Sequence, residues 1–178
     1  MANTTLTTDL RAMHAAIVAG ISAQFPTLAT VEFYREDRKD LPLPACILEL
    51  EEMPSAPDEN PGNGQQPIEA RFCAHFVLGF RTENVRLEIR LLAAAMAAFL
   101  YEKRWDGITC DPAQFHGAYE DDFKPEFDQF ECWKVDWSHI IFLGTDVWNE
   151  DGAITPTVVK YSWAPDIGLE NEGKYIEL

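Results

Sequence analysis

One stretch constrains the fold more than any other. Between residues 68 and 81, Ile68, Ala70, Phe72, Ala74, Phe76, Leu78 and Phe80 alternate with Glu69, Arg71, Cys73, His75, Val77 and Arg81. A period of two is the signature of a β-strand with one face in a core. At about 3.3 Å per residue, positions 68–80 extend roughly 43 Å, against the ~17–20 Å of an ordinary strand. A strand of that length is expected to project past its own core. With the strand before it, it would form a long hairpin arm.

The remaining elements follow from periodicity and punctuation. Leu10, Met13, Ile17, Ile21 and Phe25 recur at helical spacing across residues 8–25, with Thr7 or Thr8 as N-cap and Pro26 as stop. Residues 30–35 and 45–52 read as strands. Residues 53–67 are rich in Pro, Gly, Asn and Gln and read as a long exposed hairpin loop. Ile89, Leu92, Met96, Phe99 and Leu100 mark a second helix over residues 84–104, closed by Gly107. Strands are expected at 113–119 and 130–143, separated by an acidic turn over 120–128. Residues 145–178 carry Pro156, Pro165 and several glycines, and their periodicity is lost apart from a short β-prone run at 157–163. They read as an extended C-terminal arm, whose Trp148, Tyr161, Trp163, Ile167 and Tyr175 are too apolar for a free tail. The expected architecture is an α+β two-layer sandwich over residues 1–144. Three consecutive hairpin-linked strands make its sheet largely antiparallel, and two helices lie on one face.

Charge excludes several function classes. Against 14 Lys and Arg stand 30 Asp and Glu, a formal net charge of −16 over 178 residues. A nucleic-acid binder needs a basic footprint to release phosphate counterions, and a sequence pI near 4.5 leaves no room for a large one. Anionic membrane surfaces are disfavoured by the same sign. With 47% hydrophobic residues the chain is nonetheless no acidic disordered tail. No basic and then apolar leader opens it, and no apolar run approaches the ~20 residues that span a bilayer. Cys46, Cys73, Cys110 and Cys132 are widely spaced, so they read as reduced, mostly buried thiols rather than a zinc box.

No catalytic constellation stands out. P-loop, GxGxxG, HExxH and GxSxG patterns are all missing from the sequence. His14, His75, His116 and His139 fall in four different elements. Cys73 and His75, two apart on one strand face, could begin a Cys/His metal or nucleophile site, but a histidine there more often is plain surface polarity. Glu120, Asp121 and Asp122 with Lys124, Glu131 and Lys134 resemble the carboxylates of metal-dependent nucleases, though an acidic turn is more often just solvated. Hard-cation binding by that turn without catalysis is the more plausible of the two. No catalytic residue, metal ligand set or cofactor is therefore expected.

The order helix, three strands, helix, two strands resembles the tail terminator (tail completion) proteins of long-tailed bacteriophages. The long strand after a low-complexity loop belongs to the resemblance, as do the run from Trp133-Lys-Val-Asp-Trp137 into Ile140-Ile-Phe-Leu-Gly144 and the ending Ala164-Pro-Asp-Ile-Gly168 through Glu172-Gly-Lys-Tyr175. The resemblance implies a structural virion protein with no reaction. It would form a homo-oligomeric ring, a hexamer, that caps the tail tube, stops its polymerisation and meets the head connector or neck protein. It would sit at the head-proximal end of the virion tail after assembly in the host cytoplasm. Genome DNA would pass through the ring without specific binding, and no membrane is involved. Glu49, Glu51, Glu52, Asp58, Glu59, Glu120, Asp121 and Asp122 are then candidates to line an acidic channel. Arg35, Arg38, Lys39, Trp148, Tyr161, Trp163 and Tyr175 are candidates for subunit or tube contacts. Two other classes stay open: a small acidic binding module, such as a chaperone or DNA-mimic inhibitor, and a metal-dependent hydrolase.

Overall fold

A computed structural model describes residues 8–35, 41–121, 130–147 and 160–177, which fall into two units divided near residue 150. The larger unit is an α+β sandwich. Its first helix, α1, spans Leu10–Gln24 and is capped by Asp9, whose carboxylate accepts from the Arg11 and Ala12 amides. Thr8, expected as the cap, is buried elsewhere. Its amide donates to the Phe142 carbonyl and its hydroxyl to the Thr109 carbonyl, which stitches the chain entry to the sheet.

The sheet contains β1 (Thr30–Phe33), β2 (Ala45–Glu52), β3 (Gln66–Gly79), β4 (Gln114–Glu120) and β5 (Phe130–Leu143), in the order β1-β2-β3-β5-β4. All neighbours are antiparallel except β1 and β2, which run parallel with Thr30 opposite Ala45. The expected hairpin between these two is therefore a crossover. The parallel register places Val31 beside Cys46 and Phe33 beside Leu48, so all four apolar residues join the main core.

The length of β3 has a different use from the projecting arm that was expected. Its 14 residues pair along their whole extent with the 14 of β5, from Gln66 opposite Leu143 to Gly79 opposite Phe130. A full-length partner satisfies the backbone groups that a lone arm would leave open. The alternation itself is as expected: Ala70, Phe72, Ala74, Phe76 and Leu78 face the helices and are buried.

The second helix, α2, spans Val85–Phe99 and follows Asn84 in a left-handed conformation. It ends five residues before the expected position 104, because Leu100 is buried and the chain turns through Glu102 at φ 51°. That turn brings Trp105 beneath α1, where a Cβ on Gly20 would lie 2.8 Å from the indole Cζ3. Both helices and one sheet face share a single core holding Met13, Ile17, Ile21, Ile89, Met96 and Trp137. Phe72 stacks on Trp137 with ring centres 5.7 Å apart.

The loop before β3 is mostly exposed, with a 3₁₀ turn at Pro57–Glu59, but it is anchored. The Val147 amide donates to the Asn63 carbonyl at 2.8 Å, and the Gln65 side-chain amide donates to the Gly144 carbonyl at 3.1 Å. Gly64 sits there at φ +84° with Val147 Cγ1 2.9 Å from where a Cβ would stand. Residues 145–147 thus belong with the sandwich, and the boundary expected at 144 moves to the C-terminal side.

The smaller unit, described over 160–177, closes on itself through the two-residue strands β6 (Lys160–Tyr161) and β7 (Ile176–Glu177). Lys174 pairs with Asp166 at 2.5 Å, and the Gly168 amide donates to the Tyr175 hydroxyl at 2.9 Å. Among its described residues, 160–177, none is buried.

Candidate functional site

The sheet face turned away from the helices carries the chemistry. Alternation sends Glu49 and Glu51 of β2, Arg71, Cys73 and His75 of β3, and Lys134, Asp136 and Ser138 of β5 to this side. Register then aligns Glu49 with Cys73 and Cys73 with Asp136, while His75 lies opposite Lys134 and Lys134 opposite Tyr119. At one end Ala45, Val77 and Cys132 form a small apolar cluster with Leu41, Leu43 and Phe130.

Two linked networks result. In the first, Cys73 Sγ lies 3.2 Å from His75 Nε2, and His75 Nδ1 lies 2.5 Å from Asp121 Oδ2. Cys73 is 0% exposed and His75 5%, which corrects the expectation of a solvated strand histidine. In the second, Lys134 Nζ lies 2.5 Å from Glu51 and 3.4 Å from Asp136, and the Tyr119 hydroxyl donates to Asp136. Beside this network Arg71 joins Glu52 at 3.0 Å and Glu69 at 2.9 Å, and His116 Nε2 lies 2.8 Å from the Ser138 hydroxyl. A hollow of about 460 Å³ opens here, with Glu51, Arg71, His116, Tyr119, Lys134 and Asp136 in its wall.

Titration follows from these contacts. Burial, aided by the Glu51 and Glu49 carboxylates, raises the Cys73 thiol well above its ordinary value. Burial alone would lower Lys134, but its hydrogen bond to Glu51 and the charge of Asp136 outweigh this and keep it protonated. Burial and the hydrogen bond to Asp136 push Tyr119 up to about 12. Glu69 is lowered by its hydrogen bond from Arg71.

The Cys73–His75–Asp121 chain has the connectivity of a thiol, imidazole and carboxylate triad. Its electrostatics oppose that use: a reactive thiolate needs an electropositive, accessible setting, and Cys73 is enclosed with carboxylates nearby. The donors suit a cation better. Glu49, Cys73 and His75 offer ligand atoms all within 4.8 Å of one another, as do Glu51, Cys73 and Asp136. Lys134 already supplies positive charge to the second group.

The candidate channel residues divide. Glu51, Glu52 and Asp121 are engaged with Lys134, Arg71 and His75, whereas Asp58, Glu59 and Glu120 are exposed and Glu49 is half-buried. Asp122 lies outside the described residues. Of the contact candidates, Arg35 pairs with Glu32 at 2.6 Å; Arg38, Lys39 and Trp148 lie outside the described residues. Tyr161 and Trp163 meet edge to face with centres 5.1 Å apart, and Trp163 remains 68% exposed. Cys73 and His75 were visible as a pair on one strand face. Glu49 and Asp121 join them only through strand register, which periodicity does not specify. One further feature had a sequence signal that the core stripe obscured. On the side of α2 away from Ile89 and Met96, Leu87, Leu91, Ala94 and Ala98 recur at helical spacing and are exposed, with Tyr101 just beyond.

No protein-family model matches the chain, and no curated protein matches its sequence. Among the described residues no helix is long and apolar enough to cross a membrane.

Proposed function

We propose that the chain is a structural ring subunit of the phage tail terminator type, which ends tail-tube polymerisation and joins the tube to the head connector. The observation that carries the assembly part is the solvent-side stripe of α2. Leu87 and Leu91, 56% and 54% exposed, lie one turn apart on a helix whose opposite face already fills the core. An apolar helix face left exposed among the described residues fits a contact with a neighbouring subunit. The small C-terminal unit adds Trp163, Ile167, Leu169 and Ile176, all exposed. Repetition of one such contact head to tail closes a ring. The element order of the sandwich agrees with the tail terminator resemblance. The net charge of −16 suits a passage through which DNA moves without adhering.

Light scattering coupled to size exclusion tests the reading, followed by negative-stain imaging with a phage tail-tube protein. A hexamer, or a monomer that becomes a ring on contact with tube ends and fixes their length, is the expected result. A monomer at all concentrations that leaves tube growth unchanged overturns it.

A further inference from the structure

The polar sheet face carries an inference that does not depend on the ring reading. We infer that Glu49, Cys73 and His75 form a binding site for a zinc-class divalent cation, with Asp121 orienting the histidine. The donor set is one sulfur, one imidazole nitrogen and one carboxylate oxygen, a combination that borderline-soft Zn²⁺ takes and hard Mg²⁺ or Ca²⁺ does not. The spacing fits. Zn–S near 2.3 Å and Zn–N near 2.0–2.1 Å at a tetrahedral angle require sulfur and nitrogen about 3.5 Å apart. Cys73 Sγ and His75 Nε2 are 3.2 Å apart, so a shift of a few tenths of an ångström admits the ion.

The arrangement around the ligands points the same way. Metal-bound histidines usually give their second ring nitrogen to a carboxylate, which fixes the tautomer and the ring plane. His75 Nδ1 meets Asp121 Oδ2 at 2.5 Å, leaving Nε2 directed at the thiol. Charge closes as well: a divalent cation, the Cys73 thiolate and the Glu49 carboxylate sum to zero, which makes burial tolerable. The thiol proton leaves to solvent as the S–metal bond forms. Glu49 is half-buried and provides the route in, and its carboxylate has no ion pair among the described residues. The two groups share Cys73, and Lys134 on the Glu51 and Asp136 carboxylates leaves the Glu49 and His75 side to the ion.

The full chain, stripped with a chelator and dialysed, is titrated with Zn²⁺ against a chromogenic competitor and separately with Co²⁺ as a spectroscopic substitute. One ion per chain is expected, unaffected by a large excess of Mg²⁺, with a thiolate-to-cobalt charge-transfer band and tetrahedral d–d bands. Cys73→Ser should abolish the charge-transfer band. Glu49→Gln should weaken binding at least 10-fold, and Asp121→Asn roughly 10- to 100-fold. Cys110→Ser, on the helix side of the sheet, should bind as the parent does. Retention of no Zn²⁺, a cobalt spectrum without the thiolate band, or parental affinity in Glu49→Gln each overturns the assignment. Should Cys73→Ser fail to fold, the parental cobalt spectrum and the Glu49→Gln affinity decide, because Glu49 lies at the partly exposed margin.

Discussion

Replacing Leu87 and Leu91 together by glutamine removes two apolar side chains from the outer face of α2 while keeping residues of comparable helix propensity. Each leucine is about half exposed in the monomer, at 56% and 54%. Full burial of a leucine contributes about 1.5–3 kcal/mol, so covering the remaining half at a subunit interface contributes about 0.8–1.5 kcal/mol per residue. The pair therefore accounts for about 1.5–3 kcal/mol of each contact, a loss of roughly 10- to 150-fold in association constant at tenfold per 1.4 kcal/mol. Monomer stability should change by no more than about 0.5 kcal/mol, since neither side chain touches the core. The assay is a dilution series by light scattering on parent and double variant, with thermal melts alongside. The midpoint of ring dissociation should move to higher concentration by that factor while the melts superimpose. A variant ring that survives dilution as the parent does would refute the assignment of α2 to the interface. A large drop in melting temperature would refute the claim that this face is outside the core.

Three further outcomes test the fold itself. Gly20→Val places a branched side chain where Trp105 Cζ3 and Cε3 stand 2.8 and 3.2 Å from Cβ, and the indole is held by donating Nε1–H to His139 Nε2 at 2.8 Å. Overpacking of this kind costs about 1–3 kcal/mol, so differential scanning calorimetry should show a melting temperature lower by several degrees; an unchanged value would mean the helix and indole can separate freely. Burial lowers the pKa of His139, with the Asp111 carbonyl partly opposing through Nδ1. The unfolded chain then takes up this proton near pH 6.5 while the folded chain resists, so stability is full above that pH and falls as pH drops toward the lower folded value. Urea midpoints between pH 7.5 and 5 should fall less steeply in His139→Gln, and equal slopes would remove His139 from the account. All four cysteines are buried, and burial raises Cys46 and Cys73. A disulfide-exchange reagent should therefore label almost none of them in the native chain and all of them in guanidinium; rapid native labelling of Cys73 would contradict its enclosure.

Much of the sandwich was legible because its period was clean. The stripe Met13, Ile17 and Ile21, the alternation from Ala70 to Leu78, and the Val135, Trp137, Ile141 face of β5 all lie where their spacing places them. What was not legible depends on partners distant in sequence. Nothing local distinguishes a hairpin from a parallel crossover between β1 and β2, because both keep Val31 and Phe33 on the core side. The length of β3 suggests an arm only when β3 is taken alone, and β5 answers it residue for residue. Asp and Thr both cap helices, so local sequence does not choose between Asp9 and Thr8. It took tertiary hydrogen bonds to divert Thr8. The same limit governed the site: Cys73 and His75 are local, whereas Glu49 and Asp121 arrive from other strands' ends through register.

The acidity of the chain divides into two pools with different physical consequences. On the sheet face, Glu51 and Asp136 surround Lys134, Glu52 and Glu69 flank Arg71, and Asp121 meets His75. Two cations, Lys134 and Arg71, stand among these five carboxylates, so the group stays net negative, and salt screens its field over a Debye length of about 8 Å at physiological ionic strength. These residues shape a local environment suited to holding a cation, with the ion pairs fixing where the negative charge sits. Asp58 and Glu59 in the 3₁₀ turn, and Glu120 at the end of β4, are exposed and have no ion pair among the described residues. If a ring of these subunits keeps DNA from adhering, the anchored loop before β3 and the end of β4 supply that repulsion. On the β2–β3–β5 face the excess of carboxylates over cations favours a bound cation instead.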